Sequence, residues 1–77
     1  MTPAVCRASR AALGITQREL ATLAGVSAQT VVDFERSART PHRNNLVAIQ
    51  AAFEARGLSF MTREGIITQI DLSGLLS

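Results

Sequence analysis

Residues 16–35, "TQRELATLAGVSAQTVVDFE", decide the fold of this 77-residue chain. Thr16 followed three positions later by Glu19 forms a capping box, a helix start that contributes on the order of 1 kcal/mol. The helix it opens has an inner face of Leu20, Ala21 and Ala24, and Ala21 is small enough to let another helix cross closely. Gly25 supplies a left-handed turn residue, Val26 plugs the space between two helices, and Ser27 caps the second. In that second helix only Val31 and Phe34 fall where a buried stripe needs apolar side chains, with Glu35 beside them. Ala28, Gln29, Thr30, Val32 and Asp33 make up the rest of its surface. The purpose of that outward face is the question the sequence poses.

The flanking segments complete a small helical domain. Pro3 suits a first helical turn, and "AVCRASRAALG" reads as helix one, ended by Gly14. Its 3.6-residue period puts Cys6, Arg10 and Leu13 on one face, which leaves Arg10 out of place among core residues. Pro41 biases Thr40 away from helical geometry and ends helix three. Helix four runs from about Arg43 or Asn44 to Arg56, with Leu46, Ile49 and Phe53 at helical spacing, and Gly57 ends it. The tail then changes period: "LSFM" and "IITQIDL" alternate around the turn "TREG", which predicts a short β-hairpin. Strict alternation places Ile66, Ile70 and Leu72 on one side with Thr68, and Ile67, Gln69 and Asp71 on the other. An isolated hairpin is marginal in water, so this one must pack on the helices or on a second chain.

Composition narrows the class. An apolar fraction of 47% indicates a folded globule, and three Phe with no Trp or Tyr mean that an aliphatic core holds it together. A domain this small is often marginal alone, so a partner subunit is expected. Residues 1–45 hold six Arg against three acidic residues, whereas residues 46–77 hold two against three. All eight basic residues are Arg, the type whose planar fork grips phosphate. Cys6 is the single cysteine, so no internal disulfide or Cys-based zinc site is expected. There is no apolar run of membrane-spanning length and no apolar segment behind a basic start. A cytoplasmic protein with no metal and no cofactor is expected. With one His and one Cys, no paired carboxylates and no Gly-rich phosphate loop, the chain does not read as an enzyme.

Two short helices joined by a turn of three or four residues containing Gly describe a helix-turn-helix. With "TQREL", Ala21, Gly25, Val26, Val31, Phe34 and "ARTP" in place, residues 4–56 resemble the phage-repressor and Cro-like, or XRE-type, family of regulators. The resemblance implies a mainly α fold with a four-helix repressor-like domain over residues 1–57; the hairpin and tail over residues 58–77 lie outside it and rest on the alternation alone. It also accounts for Arg10, since such domains commonly pair an Arg on helix one with a Glu at the end of the recognition helix, here Glu35. A core-facing Arg requires a carboxylate in any case.

The resemblance further implies double-stranded DNA as partner, with helix three in the major groove and its N-terminal residues on base edges. Ala28, Gln29, Thr30, Val32 and Asp33 are the candidate base readers: Gln for adenine, Thr for bases or phosphate, and Ala or Val for a thymine methyl. Gln17 resembles the family residue that contacts phosphate and braces the next Gln. Arg18, Arg36, Arg39, His42, Arg43 and Asn44 are candidate backbone contacts. The plainer reading of the Gln–Thr–Asp face is a solvated helix surface; that of His42 is a loop residue, and that of Cys6 a core residue. Asp33 repels phosphate unless it accepts a proton from cytosine N4. One recognition helix covers only a few base pairs, so a homodimer on a near-palindromic operator is expected. Phe60, Ile66, Ile70 and Leu72 are its candidate contact, extended by Leu75 and Leu76. The competing reading is a protein-binding module on the same scaffold that sequesters an activator or toxin.

Overall fold

The computed structural model describes residues 1–75; Leu76 lies outside the described residues. The chain forms four helices, α1 (Pro3–Leu13), α2 (Gln17–Ala24), α3 (Ala28–Glu35) and α4 (Arg43–Glu54), followed by strands β1 (Ser59–Arg63) and β2 (Ile66–Asp71). A 3-10 turn over Ser73–Leu75 closes the described chain. The helix boundaries follow local chemistry. Thr2, Thr16 and Ser27 each accept a backbone N–H from the first turn of the helix that follows. Glu19 returns its carboxylate to the Thr16 amide at 3.1 Å, completing the capping box. Gly14 and Gly25 adopt the left-handed conformation at φ 68° and 69°, which lets α1 and α2 stop abruptly. Helix α4 ends at Glu54, two residues short of Arg56.

One apolar cluster holds the domain together. Cys6 from α1, Leu20 and Ala21 from α2, Val31 and Phe34 from α3, Ile49 and Phe53 from α4, and Leu58 beyond it are all buried. Val26 in the turn and Leu46 on α4 pack against its edge. The strands pair antiparallel, and their inner face joins the same cluster. Phe60 and Ile70 pack on it, with the Phe60 ring edge-on to Phe53 at 6.2 Å. The hairpin therefore contributes Phe60 and Ile70 to its own chain's core.

The strict alternation read from the tail is corrected by a bulge. Met61 faces Gln69 but Thr62 faces Ile67, so Thr68 has no partner residue on β1. One extra residue inverts the side-chain parity of everything before it. Ile67 consequently turns inward and is 8% exposed, while Ile66 turns outward at 61%. Ile66 and Ile70, expected on one face, lie on opposite faces, and Leu72 is exposed just past the strand. The Thr68 hydroxyl donates to the Met61 carbonyl at 3.3 Å across the irregularity. The turn itself uses Glu64 at φ 54° and Gly65 at φ 81°. Two consecutive left-handed residues match the right-handed twist of the strands they join.

Candidate nucleic-acid interface

A carboxylate at the end of α3 sets the orientation of the helix-turn-helix. Glu35 is 3% exposed, and both of its oxygens are occupied. Arg10 forks onto it, Nε to Oε2 and Nη2 to Oε1, each at 2.7 Å. Cys6 Sγ donates to Oε2 at 3.1 Å, and Gln17 Nε2 to Oε1 at 3.1 Å. Arg7 donates to the Glu35 backbone carbonyl, and the remaining Arg10 nitrogen donates to the Ile15 carbonyl at 3.1 Å. One carboxylate thus joins α1, the start of α2 and the end of α3. Burial pushes the Glu35 carboxyl up, but hydrogen bonds from Arg10, Cys6 and Gln17, with the Arg10 charge, outweigh it and hold it below the usual carboxylate range. The Glu35 hydrogen bond raises the Arg10 guanidinium despite its partial burial. Burial first, and then Glu35, hold the Cys6 thiol far above the usual thiol range, so it stays protonated and donates.

With α3 held at its C-terminal end, its other face is open. Gln29, Thr30 and Asp33 line a polar cleft together with Ser27 and with Arg39 and His42 of the α3–α4 connection. Ser27 and Thr30 hydroxyls are 2.7 Å apart. Gln29 Nε2 donates to Asp33 Oδ1 at 2.8 Å, and Arg36 Nη2 reaches the same oxygen at 3.1 Å. Three residues spaced three and four apart are thereby linked along the exposed face of α3. Arg43 and Asn44 are exposed on the first turn of α4, next to His42.

The candidate residues divide by position. Gln29, Thr30, Asp33, Arg39 and His42 come together around the cleft. Ala28 is half-buried and packs against the core, and Val32 is half-buried beside it. Arg36 is paired with Asp33. Arg18 lies elsewhere, in an apolar groove with Leu13, Ile15, Leu23 and Arg56. Gln17 faces Glu35, and Gln29 bonds Asp33, so the expected bracing of one Gln by the other is replaced by two separate bonds. Asn45, Thr40 and Pro41 also line the cleft and were not expected there. Only the folding back of the α3–α4 connection brings them in. Cys6 and Arg7 were not expected to serve Glu35, although Cys6 lies one helical turn before Arg10 on the same face of α1. The Gln29–Asp33 link was available in the sequence as an i, i+4 pair.

Among the described residues, no three His, Cys, Asp or Glu side chains gather as metal ligands. No helix among them is long and apolar enough to cross a membrane. A four-helix domain with crossed α2 and α3, a buried carboxylate hub and an open polar face on α3 defines a helix-turn-helix protein. A helix-turn-helix family matches residues 7–59, and the chain belongs to that family, of the XRE type, whose members are DNA-binding transcription regulators. No curated protein matches the chain.

Proposed function

We propose that the protein is a sequence-specific transcriptional regulator that places α3 in the major groove and acts as a dimeric repressor on a near-palindromic operator. The observation that carries this reading is the cleft where Gln29 and Thr30 of α3 meet Arg39 and His42 of the next connection. Hydrogen-bonding groups suited to base edges stand beside the Arg39 guanidinium and the His42 ring, which are suited to phosphate. Gln29 and Thr30 are the base readers. Arg39, His42, Arg43 and Asn44 contact the backbone, and Ala28 and Val32 set how closely the helix approaches. In the free protein Asp33 neutralises Arg36, which lowers the contribution of Arg36 to the phosphate attraction.

The dimer contact moves with the bulge. Phe60 and Ile70 are committed to their own core, whereas Met61 (54% exposed), Ile66 (61%) and Leu72 (43%) are free on the opposite side of the hairpin and just beyond it. Those three are the candidate contact with a second copy. The same exposed apolar residues favour the second reading, a surface that grips another protein.

Fluorescence anisotropy tests the DNA reading, with DNA from upstream of the protein's own gene, random DNA as control and a salt series. Tight binding to the upstream fragment is expected, with log affinity falling steeply as salt rises. Gln29→Ala should weaken the specific site by roughly 1–3 kcal/mol and leave random DNA nearly untouched. Absence of preference at every salt, with no binding to random DNA at low salt, overturns the proposal and favours the protein-binding reading.

A further inference from the structure

Asp33 looks out of place on a surface meant for DNA, and its bonds give it a task. A carboxylate can only accept hydrogen bonds at neutral pH, so the end of the Gln29 amide that faces Asp33 Oδ1 at 2.8 Å must be its NH2 group. The carbonyl end, Oε1, is then directed away from Asp33, and one N–H of the amide remains free beside it. Arg36 Nη2 lies 3.1 Å from the same Asp33 oxygen, which restrains the carboxylate from the other side. Gln29 is exposed while Asp33 is half-buried, so the anchor is the more fixed of the two.

We infer that Asp33 is a positioning residue for base selection: by fixing which way round the Gln29 amide stands, it makes adenine the base that Gln29 accepts and guanine the one it rejects. This rests on the placement of α3 in the major groove proposed above. Adenine offers an N6 donor beside an N7 acceptor, which match an outward carbonyl and one free N–H. Guanine offers two acceptors, O6 and N7, and O6 would meet the Gln29 carbonyl oxygen. A free glutamine relieves that clash by turning its amide so that the NH2 group faces the guanine and donates to O6 or N7. Here the rotation would bring Oε1 against the Asp33 carboxylate, oxygen to oxygen, so it is blocked. Asp33 also keeps one arginine from adding indiscriminate phosphate attraction.

Selection from a randomised duplex library tests this, using the wild-type chain, Gln29→Ala, Asp33→Ala and Asp33→Asn. The position whose base preference disappears in Gln29→Ala is the one that Gln29 reads. The wild type should select adenine there, by roughly 5- to 150-fold over guanine, the discrimination of one paired contact. Asp33→Ala should lose most of that ratio. Asp33→Asn should lose it too, because an amide at 33 can pair with Gln29 in either sense. At the same time both Asp33 variants should bind random DNA more tightly and with a steeper salt dependence, since a negative charge is gone and Arg36 is released. A residue that merely supported the helix would weaken both kinds of binding instead. Unchanged adenine-over-guanine selection in Asp33→Ala overturns the inference while leaving groove reading intact. Guanine or thymine at the Gln29 position in the wild type does the same. Failure of the wild type to enrich any sequence overturns groove reading itself, and the inference with it.

Discussion

The helix-turn-helix and the C-terminal hairpin are built on opposite principles. Between α1 and α3, orientation is imposed by a saturated polar hub: Glu35 takes four side-chain hydrogen bonds from Arg10, Cys6 and Gln17. In the hairpin, orientation follows apolar parity, with Phe60 and Ile70 packed on the helical core, Ile67 buried, and Ile66 and Met61 turned away. A buried polar hub tolerates few arrangements, because each unpaired group costs free energy. An apolar face accepts many, and a single inserted residue exchanges its two sides. The restrictive contacts thus lie at the end of α3, and the permissive surface lies toward the opposite end of the sequence.

The largest test of this contrast removes the hub. Glu35→Ala should cost about 3–5 kcal/mol, since it leaves a partly buried guanidinium, the Cys6 thiol and the Gln17 amide without their partner. At roughly 4–8 °C per kcal/mol for a domain of this size, the thermal midpoint read by circular dichroism should fall by well over 10 °C, or the transition should vanish. A loss below about 1 kcal/mol would mean that the apolar cluster alone orients α3. The hub also sets the response to acid. A carboxyl whose folded pKa is depressed adds stability that is present above its ordinary value, near 4.3, and is lost as pH falls through the folded value. The wild type should therefore lose stability on acidification below about pH 5, and Glu35→Gln should flatten that loss. Equal slopes in urea titrations across pH 3–7 would remove Glu35 as the cause.

In the hairpin the effects are smaller and locate the bulge. Ile67→Ala should destabilise by about 2 kcal/mol and Ile66→Ala by less than about 0.5 kcal/mol. The reverse order in chemical denaturation would restore strict alternation and abolish the bulge. Ile66→Ala should instead weaken self-association in sedimentation experiments, if the outer face meets a second copy. The smallest effect has the opposite sign. Glu64 holds φ 54° in the turn, a conformation that Asn adopts at lower cost. Glu64→Asn should raise stability by up to about 1 kcal/mol, measured by the same denaturation. A loss would indicate that the Glu64 side chain contributes a contact worth more than the strain.

Much of the α-helical half is legible from the chain itself. Thr16 with Glu19, Gly14, Gly25 and Ser27 are local devices that act through neighbours three or four residues away, so reading them requires no knowledge of the fold. Arg10 among apolar positions announces a buried carboxylate partner; the resemblance names Glu35 as that partner, and its place beside core Phe34 agrees. The outward face of α3 is legible for the same reason, since period 3.6 separates Val31 and Phe34 from Gln29, Thr30 and Asp33.

What the tertiary structure alone decided lies in contacts between segments distant in sequence. Cys6 and Gln17 join the hub because α1 and α2 converge on the end of α3, and neither residue type advertises that role. Arg18 and Arg39 are both exposed arginines near the motif, but only the path of the α3–α4 connection puts one beside Gln29 and leaves the other in an apolar groove. The bulge at Thr68 has no signature in an alternating run of Ile, Thr and Gln. It arises where β2 has one residue more than β1 between two paired positions, and only the folded packing shows that Ile67 is buried and Ile66 exposed. Local hydrogen-bonding chemistry determined the helices and their caps. Which surfaces meet was determined by contacts between distant segments, the Glu35 hub among the helices and apolar packing under the hairpin, because apolar contacts carry no address of their own.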